Sequence, residues 1–187
     1  MRDLILKMSI SIDGFVSDLE GRNTWMFGAD QEAKAWSVEY LWTAGLHIMG
    51  SRSFRSMAGF WPTAAGPFAA PMNEIPKAVF SKSGAAILGA AETGNWRDAY
   101  VASGDLSEEI AKLKATNGKP IVAHGGASFA RSLIAADLVD QYRLMVYPLA
   151  LGSGLPIFSG VTPLRRLELV SSKSFPKGTQ AQIFRRA

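Results

Sequence analysis

Two short stretches combine the residue types that bind phosphate: Ile48-Met49-Gly50-Ser51-Arg52-Ser53 and Val122-Ala123-His124-Gly125-Gly126-Ala127-Ser128. In each, an apolar run gives way to glycine and then to a stretch that predicts a helix. A helix N-terminus leaves backbone N–H groups unpaired and carries partial positive charge, and glycine lets an anion approach without an intervening side chain. One such turn either links a strand to a helix or holds a phosphate; two in one small sheet could grip both ends of a dinucleotide. The familiar nucleotide fingerprints are absent. Gly152-Ser153-Gly154 is followed by Pro156 and lacks the third glycine of a Rossmann turn, and no GxxxxGK[ST] loop occurs.

Asp13 precedes Gly14 where the first apolar run breaks, so it is either a turn aspartate or a carboxylate projecting from a sheet edge toward a substrate. Trp25, Phe60 and Trp61 could line a pocket for a flat ring or plug the core. Gly126-Ala127-Ser128-Phe129-Ala130 approaches the hydrolase pattern GxSxG, but no histidine follows the serine, as that chemistry requires. His124 falls at a strand end and His47 within a buried strand. With two histidines and no cysteine, no metal centre, disulfide or thiol nucleophile is expected.

The composition sets the frame for these residues. At 187 residues, 48% hydrophobic and 19% charged, the chain suits one globular domain spanning 1–187. The net charge of +4 is spread over small clusters such as Arg52/Arg55 and Arg165/Arg166, not the stripe that nucleic acid needs. The first residues interrupt their apolar run with charge, and no run approaches the length of a membrane span, so a cytoplasmic protein with no membrane partner is expected.

The elements alternate. Leu4, Leu6, Met8, Ile10 and Ile12 predict one face of a strand, residues 13–29 a long loop, and Asp30 to about Thr43 a helix. Leu46–Met49, Lys77–Phe80, Tyr100–Ala102 and Pro120–Ala123 predict short strands. Helices follow near Arg52–Met57, after Asp105 with Glu108 as a capping box, and over Ala127–Ala136. Four prolines in residues 59–76 argue for an ordered flap or site wall, and residues 85–98 carry no clear pattern. Gln141–Leu149, Arg165–Ser174 and Gln180–Arg185 predict strands, the last two around Pro176-Lys177-Gly178. Strand–helix alternation with a terminal hairpin implies an α/β fold: a mostly parallel sheet with an antiparallel edge.

Taken in order, several stretches resemble the RibD C-terminal (riboflavin-biosynthesis reductase) domain family of the dihydrofolate reductase-like superfamily. They are Met8-Ser-Ile-Ser-Ile-Asp13-Gly14-Phe15, Ile48–Phe54, Gly59-Phe60-Trp61-Pro62, Pro76–Ser81, Gly125-Gly126 with its helix, Leu138–Pro148 and Leu151–Phe158. The resemblance covers nearly the whole chain and implies a central sheet flanked by helices, with NADPH across the carboxyl ends of the strands. It implies that Gly50, Ser51, Arg52, Ser53, Ser81 and Lys82 hold the adenosine end and its phosphates, and that Gly125, Gly126, Ala127 and Ser128 hold the pyrophosphate. The backbone of Ser9–Ile12 would face the nicotinamide. Asp13, Gly14, Phe15, Trp25, Phe60 and Trp61 would face a small-molecule substrate, with Asp13 or water as proton donor. The family often dimerises, which implies a homodimer with the C-terminal strands as contact. Ser51 stands where the family has an arginine, leaving Arg52 and Lys82 to supply charge at the adenosine 2′-phosphate.

The activity so implied is an NADPH-dependent reduction of a C=N or C=O bond in a small heterocyclic or sugar-bearing compound, similar to 5-amino-6-(5-phosphoribosylamino)uracil reduction. The alternative is a nucleotide-binding sensor or partner-binding dimer without turnover. Dihydrofolate reduction would require an acidic residue on the first helix, for which Asp30 and Glu32 are the counterparts.

Overall fold

The computed structural model describes residues 1–28 and 31–187. Eight strands form one sheet: β1 (Leu4–Ser11), β2 (Leu46–Gly50), β3 (Lys77–Phe80), β4 (Tyr100–Ala102), β5 (Ile121–His124), β6 (Gln141–Tyr147), β7 (Leu167–Ser174) and β8 (Gln180–Arg186). Their order is β4-β3-β2-β5-β1-β6-β8-β7. The first six run parallel, while β8 is antiparallel to both β6 and β7. The mostly parallel sheet with an antiparallel C-terminal edge is the architecture that the alternation predicts.

Because β1 lies in the middle of the sheet, both of its faces are covered. Leu4, Leu6, Met8 and Ile10 join the larger core cluster on one face, together with α5 (Leu106–Ala115) and α6 (Ala127–Ala135) through Ile110, Ala130, Leu133 and Ile134. On the other face Met49 and Val79 pack with Leu41 of α1 (Gln31–Trp42) and Phe54 of α2 (Ser51–Phe60). Met72 of α3 (Ala69–Glu74) and Trp96 of α4 (Gly94–Arg97) complete that layer. The alternation does not extend to Ile12. The strand ends at Ser11, the Ile12 N–H turns aside to donate to the Leu149 carbonyl, and its side chain is 65% exposed.

Local chemistry sets the element ends. Asp105 caps α5 by accepting from the Ser107 and Glu108 N–H groups. Residues 59–76 hold a 3-10 turn (Trp61–Thr63) and the short α3, as their prolines require. Asn73 ties that segment down: its side-chain amide donates to the Trp61 carbonyl and its Oδ1 accepts from Trp96 Nε1. The unpatterned stretch 85–98 holds a second 3-10 turn (Gly84–Ala90) and α4. Asp30, where the sequence starts the first helix, lies outside the described residues.

The loop after β1 contains a 3-10 turn (Thr24–Gly28), and its start is clamped by a distant segment. Phe15 bridges Pro156, the Val16 N–H donates to the Leu155 carbonyl, and the Leu155 N–H donates to the Ser17 carbonyl. Gly154 makes that approach possible, since a methyl there would run into the Ser17 carbonyl oxygen and lie 3.1 Å from Phe15 Cβ. Gly154→Ala should therefore lower unfolding stability by about 1–3 kcal/mol, the usual range for overpacking. Gly59→Ala, at an open helical position with nothing within 4 Å, should leave stability unchanged or slightly raised. Denaturant unfolding of both variants checks this; equal midpoints would mean the 154 segment moves away freely.

Candidate functional site

The carboxyl ends of the six parallel strands share one edge of the sheet, and that edge is stepped. β5 ends at His124, paired with Lys7, whereas β1 runs four residues further beside β6, from Met8↔Leu144 to Ser11↔Tyr147. From Met8 to Ser11 the β5 side of β1 therefore has no neighbouring strand; the Ser11 N–H donates to the Phe15 carbonyl and its carbonyl accepts from Gly14, which leaves the Ser9 backbone groups facing a notch. Of the eight residues of β1, Lys7 and Ser9 are the two that are not buried. Both point to the face covered by α1. A central strand with accessible side chains marks a crevice.

Two helices start at this notch. Gly50 caps α2 and Gly126 caps α6; both are extended, and neither offers a side chain to the first-turn N–H groups, unlike Asp105 at α5. The two starts adjoin: a Cβ on Gly126 would lie 3.3 Å from Ser53 Oγ, and one on Gly50 would lie 3.2 Å from Phe129 Cβ. Packing alone explains two of the glycines, because Gly50 abuts Phe129, and a Cβ on Gly125 would fall 2.5 Å from Met8 Sδ. Gly126 differs, being exposed and close only to a serine hydroxyl. Gly50 pairs with Phe80, so the turn after β3 leaves the sheet beside the turn after β2. There Ser81 Oγ lies 2.8 Å from Ser83 Oγ, and Lys82 Nζ donates to the Gly104 carbonyl. Arg52, Lys82 and Ser128 are exposed, Ser51 and Ser53 half-buried, and Ala127 buried.

The floor carries a cluster of basic groups that the sequence reading missed. Lys7 stands beside His124 on the neighbouring strand, and His47 lies in register with Lys77. The His47 and His124 rings meet edge to face at 4.5 Å. Both nitrogens of His47 and Nε2 of His124 are buried without partners. Burial, with Lys77 and Lys7 nearby, pushes His47 down to about 3. Burial and the same neighbours hold His124 well below the usual range, so both rings are neutral. Burial also pushes Lys7 and Lys77 down to about 8. Lys77 is committed: it donates to the Asn73 and Ile75 carbonyls and lies over the Trp96 ring. Among the described residues Lys7 has no such ties, and it stays partly exposed. It is a lysine deep in the fold that is not wholly closed off from solvent. Alternation placed it opposite the apolar face of β1; only pairing on both sides of that strand reveals the crevice.

The structure gives Asp13 another occupation. Its carboxylate accepts from the Ser11 hydroxyl and from the backbone N–H groups of Leu151 (3.1 Å) and Gly152 (2.8 Å). These donors, the Ser11 hydroxyl foremost, hold it below the usual carboxylate range. An aspartate kept ionised this way is a poor proton donor and a good clasp for the 151–156 loop. Gly14 takes φ +86, the left-handed conformation of a turn glycine, and Phe15 lies against the same loop. The aromatic residues do not form one pocket. Trp25 packs with Tyr147 and Phe175 near β6, while Phe60 and Trp61 meet edge to face at 4.9 Å at the end of α2, where Trp61 joins the core of that side. Trp25 Nε1 is buried with no partner. Glu32 on α1 is exposed, whereas Ala33, Ser37 and Leu41 face inward.

The donor set fits an extended dinucleotide. It comprises two adjoining uncapped helix starts, a free strand edge whose N–H and C=O groups match a carboxamide, and the cations Arg52 and Lys82 beside the outer turns.

Comparison with known proteins agrees with the fold. The RibD C-terminal domain profile matches residues 2–181. The uncharacterized protein YyaP of Bacillus subtilis (strain 168) is 28% identical over 183 residues, covering 98% of this chain and 94% of that protein. Among solved structures, a putative riboflavin biosynthesis protein from Shewanella sp. PV-4 superposes with a TM-score of 0.74 at 19% identity, over 99% of both chains. Dihydrofolate reductase from Enterococcus faecalis, complexed with NADP(H), gives 0.62 at 15% identity over 98% of this chain and 96% of that one. The fold is dihydrofolate reductase-like.

The Asp13 clasp has a pH signature. Its pKa is depressed on folding, so its contribution is complete above the ordinary aspartate value of about 3.9 and is lost as pH falls through the lower folded value. Asp13→Ala should unfold at a lower temperature than the wild type at pH 7, and the gap should narrow below about pH 4. Thermal unfolding across that range decides it; a gap constant down to pH 2 would assign the effect to something other than the carboxylate.

Proposed function

The chain belongs to the RibD C-terminal domain family, and from that premise we propose that it is an NADPH-dependent reductase acting on a C=N or C=O bond of a small heterocyclic or sugar-bearing compound. The observation that carries this reading is the stepped sheet edge, where accessible Lys7 and Ser9 adjoin two uncapped helix starts. The N–H groups of Gly126, Ala127 and Ser128 would hold the pyrophosphate, with Ser51 and Ser53 hydroxyls beside them. Arg52 and Lys82, with Ser81, would hold the adenosine end and its 2′-phosphate in place of the arginine replaced by Ser51. The free edge of β1 would orient the nicotinamide amide, and that ring, once bound, supplies hydride.

Lys7 then has the chemistry the acceptor needs. As an ammonium with a pKa of about 8, it can polarise the C=O or C=N group and deliver a proton to its heteroatom as hydride reaches the carbon. The neutral imidazoles of His124 and His47 leave Lys7 and Lys77 as the floor's cations, and Lys77 is engaged by the Asn73 and Ile75 carbonyls. Asp13, Gly14 and Phe15 would shape the substrate side by fixing the 151–156 loop.

The cofactor assignment is tested at Gly126. Its φ of −88 suits any residue, and its surroundings are open apart from Ser53 Oγ, so Gly126→Glu should fold normally. The new carboxylate would meet the pyrophosphate and weaken NADPH binding by about tenfold or more, as expected for loss of a charge-assisted contact. Calorimetric titration reads this directly; unchanged affinity, or no wild-type binding at all, defeats the assignment.

Lys7 is tested separately. Lys7→Met should keep NADPH affinity within about twofold yet lower kcat/KM by about 10²–10⁴ against cyclic imines and sugar-bearing aminopyrimidines. The protonated form is the active one, so wild-type kcat/KM should fall as pH rises through about 8. A wild-type profile flat to pH 10, or a Lys7→Met enzyme with full turnover, would return proton delivery to water.

A further inference from the structure

On the face of the sheet away from Lys7, a cavity of about 370 Å³ opens between α6 and the segment that leads into β7. Ile134, Phe158, Val161, Leu164 and Leu167 give it apolar walls, and Tyr142 and Arg165 are its two polar members. Tyr142 stands opposite Leu6 on β1 and shares the larger core with it, whereas Lys7, the next residue, faces the other way. The sheet itself therefore separates this cavity from the notch. Tyr142 is only 2% exposed, yet its hydroxyl makes no hydrogen bond among the described residues. A buried phenol ordinarily finds a partner. Burial pushes its pKa up, so the hydroxyl keeps its proton and can donate it to a hydrogen bond. The charges beside it are uneven. Arg165 and Arg186 take the two oxygens of Asp137, and Arg186 and Lys114 take those of Asp140. Three cations thus divide two carboxylates whose oxygens are all engaged. Arg165 also donates to the Ala135 carbonyl, which leaves three of its five N–H groups unused among the described residues.

We propose that this cavity binds a small monocarboxylate with an apolar body, its carboxylate held between the Tyr142 hydroxyl and the Arg165 guanidinium. The apolar body lies against Ile134, Phe158 and Val161, where it removes hydrocarbon surface from water. The carboxylate gives the phenol the acceptor it lacks and brings the third negative charge that the three cations can use. A neutral ligand would satisfy the hydroxyl but not the charge. A dicarboxylate or phosphate would carry a second charge into a cavity whose remaining walls are apolar. The inference is independent of the cofactor and of the reaction, since the site lies on the opposite face of the sheet.

Calorimetric titration with octanoate, kept below its micelle concentration, should show saturable binding at one site per chain, with or without NADPH. Octanol should bind at least about tenfold more weakly, because it cannot make the charge-assisted contact. Tyr142→Phe should weaken octanoate by about threefold or more through loss of a neutral hydrogen bond. Leu164 stands at the mouth and is 80% exposed, so Leu164→Glu should fold normally and repel the carboxylate. Asp137→Asn tests the charge in the other direction. Asp137 takes φ +56, which asparagine tolerates, and removing its charge frees Arg165, so octanoate should bind about threefold tighter or more. Circular dichroism would verify that each variant keeps its fold. No octanoate binding at millimolar concentration, octanol binding equally well, or an Asp137→Asn protein with unchanged or weaker affinity would overturn the proposal. A wild type that ignores octanoate and forms a dimer broken by Leu164→Glu would give the cavity to a second copy, and would overturn it too.

Discussion

The length of β5 governs what the carboxyl edge of the sheet leaves open. Four residues suffice to pair with β1 up to Lys7 and with β2 up to Ile48, and there the strand gives way to Gly125 and Gly126. Had β5 continued beside β1 to Ser11, its backbone would have filled the notch and paired the Ser9 backbone groups that now face it. Instead β1 is held by β6 on one side and left open on the other. The sheet's most central strand thus becomes accessible without losing its rigidity, because its apolar residues still interlock with both helical layers.

The glycines around this notch serve two masters. Gly125 lies against Met8 and Gly50 against Phe129, contacts that draw β5 to β1 and α6 to β2. Those close approaches set the two helix starts side by side. Their primary cause is packing, and the anion-binding capacity follows from it: once α2 and α6 start next to each other without side-chain caps, their N–H groups converge on one surface. Gly126 is the exception, where no core neighbour excludes a side chain; under the proposed function a bound pyrophosphate would be the reason for its absence.

The alternation of apolar runs and glycine breaks made most of the fold legible, and the strand ends and helix starts fall within a few residues of where those patterns place them. The site was legible only where it is local. Gly50–Ser53 and Gly125–Ser128 announce themselves because strand, turn and helix lie within seven residues. Lys7 does not, since a lysine alternating with leucines looks like a solvated face until β5 and β6 are known to flank it. Asp13 was ambiguous for a similar reason: its partners, Leu151 and Gly152, are about 140 residues away in sequence. The aromatics were open for the same reason, since composition suggested one pocket and only the packing shows Trp25 with β6 and Trp61 with the core beside β2 and β3.

The charge balance of the floor follows from its position. Lys7, His47, Lys77 and His124 gather on one face of the sheet, and full protonation of all four would set several positive charges against each other in a poorly solvated region. The structure avoids this by keeping the imidazoles neutral and by surrounding Lys77 with carbonyl oxygens. Unpartnered imidazole nitrogens cost stability, since each buried unsatisfied polar group forfeits about 1–3 kcal/mol. In return Lys7 has no carboxylate partner to raise its pKa, and desolvation alone brings it to about 8. A glutamate in place of either histidine would relieve the unpaired nitrogens but would pair with Lys7, hold its proton more tightly and move its titration away from neutrality. The unsatisfied imidazoles and the labile ammonium are thus two consequences of one choice, a cationic floor without an anion.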